Sequence, residues 1–160
     1  MEAEAWAFAR DLMIFVYNHY NKKYWVRHLN GCKPFQEEMG RTVVSFHVVF
    51  SKFLDELSNV ICPEICKNEK AFYEFAETLV ASYWKGYIFL ELITICSCIS
   101  YVAVCKSGRP RIMNFGCELI VKCFQRLQWD FYAEGGWLNF SIYCMLYARV
   151  LQELQAKNHH

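Results

Sequence analysis

Apolar residues recur along most of the chain at intervals of three and four, which is the spacing of one face of an α-helix. The first such stripe comprises Trp6, Ala9, Met13, Val16, Tyr17 and Tyr20. The second comprises Met39, Val43, Phe46, Phe50, Leu54 and Leu57, and further stripes follow at 72–79, 112–127 and 138–154. The pattern therefore predicts a series of amphipathic helices.

Prolines and polar caps predict where these helices begin and end. Pro34, at the end of the segment NGCKP, is suited to open the second helix, and Pro63 closes a short segment. Asn68, followed by the acidic Glu69, resembles a helix N-cap and first turn. The turn KSGRP at 106–110 ends one helix, and its proline, Pro110, can open the next.

One segment, residues 87–105, is apolar on all sides: YIFLELITICSCISYVAVC, with Glu91 as its single charged residue. It is nearly long enough to span a bilayer, but the carboxylate would be costly in lipid and the flanking helices are amphipathic as in a water-soluble bundle. The segment is therefore predicted to be the buried central helix of a bundle. The predicted fold class is all-α, with one domain over residues 1–156 and seven or eight helices around the central one.

Two adjacent glycines, Gly135 and Gly136, interrupt the helical pattern between Trp129 and Trp137. Glycine is unfavourable inside a helix, but it readily adopts left-handed backbone and permits close packing. The pair therefore predicts the end of one helix and a sharp corner, at which Trp137 begins the next helix. We expect Gly136 to have a left-handed or closely packed backbone.

Composition narrows the classes of function. The net charge of +1 gives no electrostatic reason to expect nucleic acid as a partner. The nine cysteines fall within apolar runs, and the acidic start MEAEAW lacks the basic region of a signal peptide. Free, mostly buried thiols in a reducing compartment are therefore expected. The sequence contains no phosphate-binding, zinc-ribbon or hydrolase motif, so neither an enzyme nor a cofactor is predicted.

His47 leaves a different class of function open. It lies in the apolar run SFHVVF, and a histidine in such a run of an all-α protein could be the axial ligand of a haem, as in globin-like proteins. A single histidine on an apolar face is more often an ordinary core or surface residue. Haem binding is retained as an alternative function, which the visible absorption of the purified protein would test.

A central apolar helix followed by Gly-Gly-Trp resembles the Bcl-two (B-cell lymphoma two) family of apoptosis regulators. Residues 129–137 resemble the last homology motif of that family, with one additional residue between the two tryptophans. RDL at 10–12 and KYW at 23–25 resemble the amino-terminal helix, and YWKG at 83–86 resembles the motif that opens the central helix. The resemblance extends over nearly the whole chain, and the short loops are similar to those of virus-encoded members.

The resemblance implies a surface groove that receives the apolar face of an amphipathic helix. The groove residues that it implies are Phe46, Phe50, Leu54, Leu57, Phe72, Phe75, Leu79, Lys85, Gly86 and Phe89. Gly135, Gly136 and Trp137 would form the corner at one end of the groove. Lys85 is the cation nearest to the position of the family's ligand-binding arginine, and whether it replaces that arginine is left open.

The family resemblance also implies a function. Val43-Val44 stands where the killer-type ligands have Gly-Asp, so we expect a pro-survival protein that sequesters pro-apoptotic family members by their helical killer motif. An interaction scaffold of the same fold that binds no killer peptide is a second alternative, and a homodimer is left open. The expected location is the host cytoplasm or the mitochondrial surface. The polar end LQELQAKNHH cannot span a bilayer, so no membrane anchor is expected within this chain, and whether one has been removed is left open. Residues 157–160 are expected to be a polar tail whose last two histidines could derive from a tag.

Overall fold

Helix follows helix along the described part of the chain. The computed structural model describes residues 2–21, 34–65, 69–81 and 87–158, with the side chains of all of these except 60–65, 79 and 80. Its α-helices are α1 (Glu2–Asn21), α2 (Glu37–Val49), α3 (Ser51–Ile65), α4 (Glu69–Ala81), α5 (Ile88–Ser100), α6 (Pro110–Ala133) and α7 (Gly136–Asn158). A π-helical segment, Tyr101–Ser107, continues α5. All regular structure in the described residues is helical, which confirms the predicted all-α class.

The central helix of the bundle is α5 together with the π-helical segment, as the apolar run at 87–105 predicts. α2, α4, α6 and α7 pack against α5, and α1, α3 and α6 pack against the π-helical segment. Leu92, Ile95 and Ile99 are fully enclosed. By length and composition the stretch Ile88–Ser107 could cross a membrane, but 67% of its apolar window is buried inside the bundle. Neighbouring helices therefore cover most of its apolar surface.

The stripe that runs from Met39 to Leu57 belongs to two helices, although its spacing predicts a single one. A turn at Phe50 separates α2 from α3. Hydrogen bonds nevertheless continue through the turn: the Phe50 N–H donates to the Phe46 carbonyl (2.9 Å), and the Leu54 N–H donates to the Phe50 carbonyl (2.9 Å). Because helical bonds bridge the turn, the apolar spacing is preserved across it.

Of the three prolines, only Pro110 lies at the helix boundary that the sequence predicts. The predicted start of the second helix at Pro34 is wrong, because α2 begins at Glu37 after an N-cap residue with extended backbone. The predicted boundary at Pro63 is also wrong, because α3 continues to Ile65. Pro110 does occupy the first turn of α6, as predicted. α4 begins at Glu69, while its predicted N-cap, Asn68, lies outside the described residues.

The last two helices are long. α6 has 24 residues and runs unbroken to the glycine pair, so no separate short helix precedes the corner. α7 has 23 residues and packs chiefly on α2. The Thr42 hydroxyl of α2 donates a hydrogen bond to the Cys144 carbonyl of α7 (2.9 Å). α7 ends at Asn158, so its last two residues belong to the segment 157–160 for which a polar tail is predicted.

Candidate functional site

The glycine pair forms the predicted corner between α6 and α7. Gly135 has a φ of 109° and Gly136 a φ of 66°, values that residues with a Cβ rarely adopt. A Cβ on Gly135 would lie 1.9 Å from the Asn139 amide nitrogen, and one on Gly136 would lie 3.1 Å from the Tyr132 ring. The expected left-handed backbone of Gly136 is confirmed, and both conformation and space favour glycine at the corner.

Trp137 connects this corner to α1. Its indole Nε1 donates a hydrogen bond to the Glu4 carboxylate (3.1 Å), and the Tyr132 hydroxyl donates to the same oxygen (3.1 Å). The indole stacks on Phe124, with the ring centroids 5.0 Å apart, and contacts Phe8 at 5.1 Å. Trp137 therefore ties the start of α7 to both α1 and α6.

The two tryptophans of the last motif have different environments. Trp129 is 82% exposed on the surface of α6, whereas Trp137 is partly buried against the aromatic core. The resemblance to the family motif treats them as a pair, but only Trp137 packs inside the fold. Trp129 is a large apolar side chain left in solvent.

We expect Gly136→Ala to lower the free energy of unfolding by about 2 kcal/mol, because it adds a left-handed backbone penalty and a close contact with the Tyr132 ring. Gly108→Ala is the matched control. Gly108 also has a φ of 66°, but its Cβ would have nothing closer than the Val104 carbonyl at 3.6 Å. That variant should lose about 1 kcal/mol, the conformational penalty alone. Urea denaturation of both variants measures the difference, and equal losses would contradict a packing constraint at the corner.

Four of the residues implied for the groove lie in the core. Phe46, Leu54, Phe72 and Phe75 are buried, and the Phe72 ring packs edge-to-face on Phe115 of α6 at 5.7 Å. Their side chains are therefore not part of the protein surface in this structure. A ligand could contact them only if the surrounding helices moved apart.

Three further groove residues are partly exposed, and the ring contacts of the two phenylalanines among them are to different helices. Phe50 directly precedes α3 and Leu57 lies in its first half, and Phe50 contacts Phe46 of α2 with the ring centroids 4.5 Å apart. Phe89 of α5 instead packs against Phe140 and Tyr143 of α7, at 5.6 and 5.8 Å. The Leu79 side chain, Lys85 and Gly86 lie outside the described residues.

Phe53 is an exposed aromatic residue that the sequence pattern does not single out. It is 51% exposed on α3, three residues after Phe50 and four before Leu57. The apolar spacing of Phe50, Leu54 and Leu57 does not include Phe53, so Phe53 is not among the predicted groove residues. We call Phe50, Phe53 and Leu57 the α3 row, an apolar series at positions i, i+3 and i+7.

Two clefts lie elsewhere on the surface. One, of about 360 Å³, lies beside the corner between α1 and the end of α6, and Trp137 and Tyr132 are among its lining residues. The other, of about 330 Å³, lies between α1 and the start of α6 and is lined by Arg10, Met13 and Met113 among others. Apart from Trp137, neither cleft contains a residue implied for the groove.

His47 is fully buried, with hydrogen bonds at both ring nitrogens. Its Nε2 lies 2.8 Å from the Ser97 carbonyl, and its Nδ1 lies 2.9 Å from the Tyr20 hydroxyl. A carbonyl can only accept, so Nε2 carries the proton, and in the neutral ring Nδ1 accepts from Tyr20. Burial lowers the pKa of His47 to about 4, although the bond to Ser97 acts in the opposite direction. Because both nitrogens are engaged, an axial bond to haem iron would require breaking one of these hydrogen bonds.

The polar groups around His47 join the central helix to α3. The Tyr101 ring meets the imidazole edge-to-face at 5.2 Å, and the Tyr101 hydroxyl donates a hydrogen bond to the Asp55 carboxylate. Lys106 forms an ion pair with the same carboxylate at 3.0 Å. The bonds from Tyr101 and Lys106 hold the pKa of Asp55 below its usual value. These contacts hold the π-helical segment against α3, so their role is structural.

The six cysteines whose side chains are described are free thiols. Five of them are buried, as the sequence predicts, and the sixth, Cys105, reaches the surface. Burial raises the pKa of Cys98, Cys117, Cys123 and Cys144 to about 12. Within the described residues, no three side chains of His, Cys, Asp or Glu converge as metal ligands would. These thiols serve as small apolar core residues.

No family model matches this chain, and neither a curated protein nor a solved structure matches it.

Proposed function

We propose that this protein binds an amphipathic helix of a pro-apoptotic partner along α3, and that by sequestering the helix it blocks cell death without catalysis. The observation that carries the proposal is the α3 row. Phe50, Phe53 and Leu57 leave apolar surface in solvent at the spacing with which a ligand helix presents its own anchors. Exposed aromatic residues at helical spacing are suited to receive such anchors.

The setting of α3 supports this proposal. Its inner face is held by Leu54 and Ser58, both enclosed, while the α3 row is bordered on its solvent side by the exposed Lys52 and Glu56. An apolar row bordered by one cation and one anion is suited to an amphipathic ligand with charges of both signs beside its apolar face. Binding there would leave the inner face of α3 in place.

In this proposal, the class of partner is inferred from the resemblance to the Bcl-two family. An apolar central helix inside the bundle and a glycine corner with Trp137 packed on the core agree with that resemblance. A protein of this kind would act in the host cytoplasm or at the mitochondrial surface, where its partners act. The proposal includes that the protein is virus-encoded and promotes cell survival.

Phe53→Ala is expected to weaken binding of killer-motif peptides by about 2 kcal/mol, or roughly thirtyfold in Kd, because an exposed aromatic at the middle of the row is a candidate hot spot. Phe50→Ala should have a similar effect. Fluorescence anisotropy with a panel of labelled peptides measures both. Leu154→Ala, which truncates an exposed residue near the end of α7, is the control and should bind as the wild type does.

The outcomes separate the competing interpretations. Both α3 variants should keep the cooperative thermal unfolding of the wild type, since their side chains are partly or half in solvent. A Phe50→Ala protein that loses stability but binds peptide with wild-type affinity would assign Phe50 to the core. A wild-type protein without affinity for any peptide of the panel would favour the scaffold alternative. A Soret band in the purified protein would favour haem binding.

A further inference from the structure

The outer face of α7 carries a continuous row of exposed aliphatic residues. Of the twelve large apolar residues that are exposed in the described part of the chain, six lie on this helix: Leu138, Ile142, Met145, Leu146, Val150 and Leu154. Their exposed fractions range from 39% to 71%. Leu138, Ile142, Leu146, Val150 and Leu154 follow one another at intervals of four residues. We call these five residues the α7 row.

The inner face of α7 already has its partners, so the α7 row is not needed for the fold. Phe140, Cys144 and Leu151 are buried, and the helix is held on α2 by the Thr42 hydrogen bond to the Cys144 carbonyl. Exposed apolar residues are ordinary when scattered, but five aliphatic side chains in one unbroken row are not. A surface of this kind is typical of a contact with another protein.

We propose that two copies of this chain pair through the α7 row, with a two-fold axis passing by Leu146. The row is symmetric about that residue, since two members precede it and two follow it at the same spacing. With the two helices antiparallel, a two-fold axis there places Ile142 on the side of Val150 of the second copy, and Leu138 on the side of its Leu154. The three central members, Ile142, Leu146 and Val150, then meet aliphatic side chains, while Leu138 and Leu154 lie at the edges of the contact. The pairing rests on α7 alone and does not depend on the proposed peptide binding.

Helix packing rules favour this arrangement. Residues at intervals of four form a ridge on a helix, and two such ridges interdigitate when the helix axes cross at about 50°. The row spans about 24 Å from its first to its last residue, so the two helices touch at the centre and diverge toward the ends. Leu146 should therefore matter most for pairing, and Leu138 and Leu154 least.

The exposed area fits a weak, reversible dimer. With Met145 beside it, the row exposes several hundred Å² of apolar surface per copy, which is the size of patch that marks a contact site. A symmetric pair buries at most this surface on each copy, or on the order of 1,000 Å² in all, which is the lower limit for specific interfaces. The flanking Arg149 and Glu153 have opposite charges, so pairing does not accumulate one sign of charge.

Sedimentation velocity of the 160-residue chain over a range of concentrations tests the proposal. The wild type should change from monomer to dimer as its concentration rises, and Leu146→Glu should remain monomeric throughout. Val48→Glu introduces the same charge at an exposed apolar position of α2 and should dimerise as the wild type does. A wild type that is monomeric at all concentrations, or a dimer that Leu146→Glu leaves intact, would overturn the proposal.

A pair of opposite charges tests the register, and it also decides the matter if Leu146→Glu does not fold. Ile142→Glu alone and Val150→Lys alone should each weaken self-association at least tenfold. In an equal mixture, the two-fold axis places the new carboxylate opposite the new ammonium group, so heterodimers should form more readily than either homodimer. A mixture that stays as monomeric as its components would overturn this pairing. Ile142→Glu mixed with Leu154→Lys is the control, because those positions do not meet, and it should show no recovery.

Discussion

Phe131→Ala is expected to lower the free energy of unfolding by about 3–5 kcal/mol, the usual cost of emptying a large aromatic site in a packed core. Phe131 has no exposed surface. Its ring centroid lies 4.9 Å from that of Trp137, 5.2 Å from Phe124, 5.8 Å from Phe89 and 5.9 Å from Phe140. These rings come from α5, α6 and α7, so the cavity would open where three helices meet.

Trp129→Ala is the matched control for this experiment. It removes a larger side chain from the same helix, two residues away, but Trp129 is almost entirely in solvent. The control should change stability by no more than about 0.5 kcal/mol. Urea denaturation followed by far-ultraviolet circular dichroism measures both variants. Similar losses in the two would mean that the ring cluster around Phe131 does not hold these helices together.

The second large effect is a loss of stability on acidification, because of His47. Burial lowers its pKa in the folded protein to about 4, against an ordinary value of about 6.5 in the unfolded chain. Between these values the unfolded chain binds the proton and the folded protein does not. The stabilisation is therefore complete above pH 6.5 and is lost as the pH falls toward 4, by about 3 kcal/mol in total.

His47→Gln isolates this contribution. A glutamine amide can still donate to the Ser97 carbonyl and accept from the Tyr20 hydroxyl, but it does not titrate. From pH 7 to pH 5 the wild type should lose about 2 kcal/mol more than the variant. Asp11 acts in the opposite direction in both proteins, because burial raises its pKa and the folded state then takes up its proton more readily. Equal pH dependence in the two proteins would contradict a neutral, buried His47.

The sequence predicts those features that depend on one helix at a time. The apolar run at 87–105 has no polar face to turn toward water, so its position inside the bundle follows from composition alone. The glycine pair predicts a corner because few other residues accept a positive φ. Five buried thiols follow from the apolar runs that contain them.

Features that depend on how two helices pack together are harder to predict from the sequence. The turn at Phe50 cannot be read from the stripe that crosses it, because helical hydrogen bonds and apolar spacing both continue through the turn. Phe72 has the spacing of a groove residue, but it packs on Phe115, whose position depends on how α6 lies against α4. Phe53 is exposed because none of the described helices covers that side of α3, and the local sequence pattern around Phe53 does not show this.

The buried thiols give the folded protein a chemical property of its own. A thiol reacts with alkylating reagents only as the thiolate, and at neutral pH a pKa near 12 leaves about one molecule in 10⁵ in that form. Enclosure in the core also keeps the reagent away. Cys105 reaches the surface, but desolvation raises its pKa to about 11, although Tyr20 and Lys106 act in the opposite direction. Each of the five buried cysteines thus becomes reactive only when its own helix opens, so the rates at which they are alkylated report the opening of α5, α6 and α7 separately.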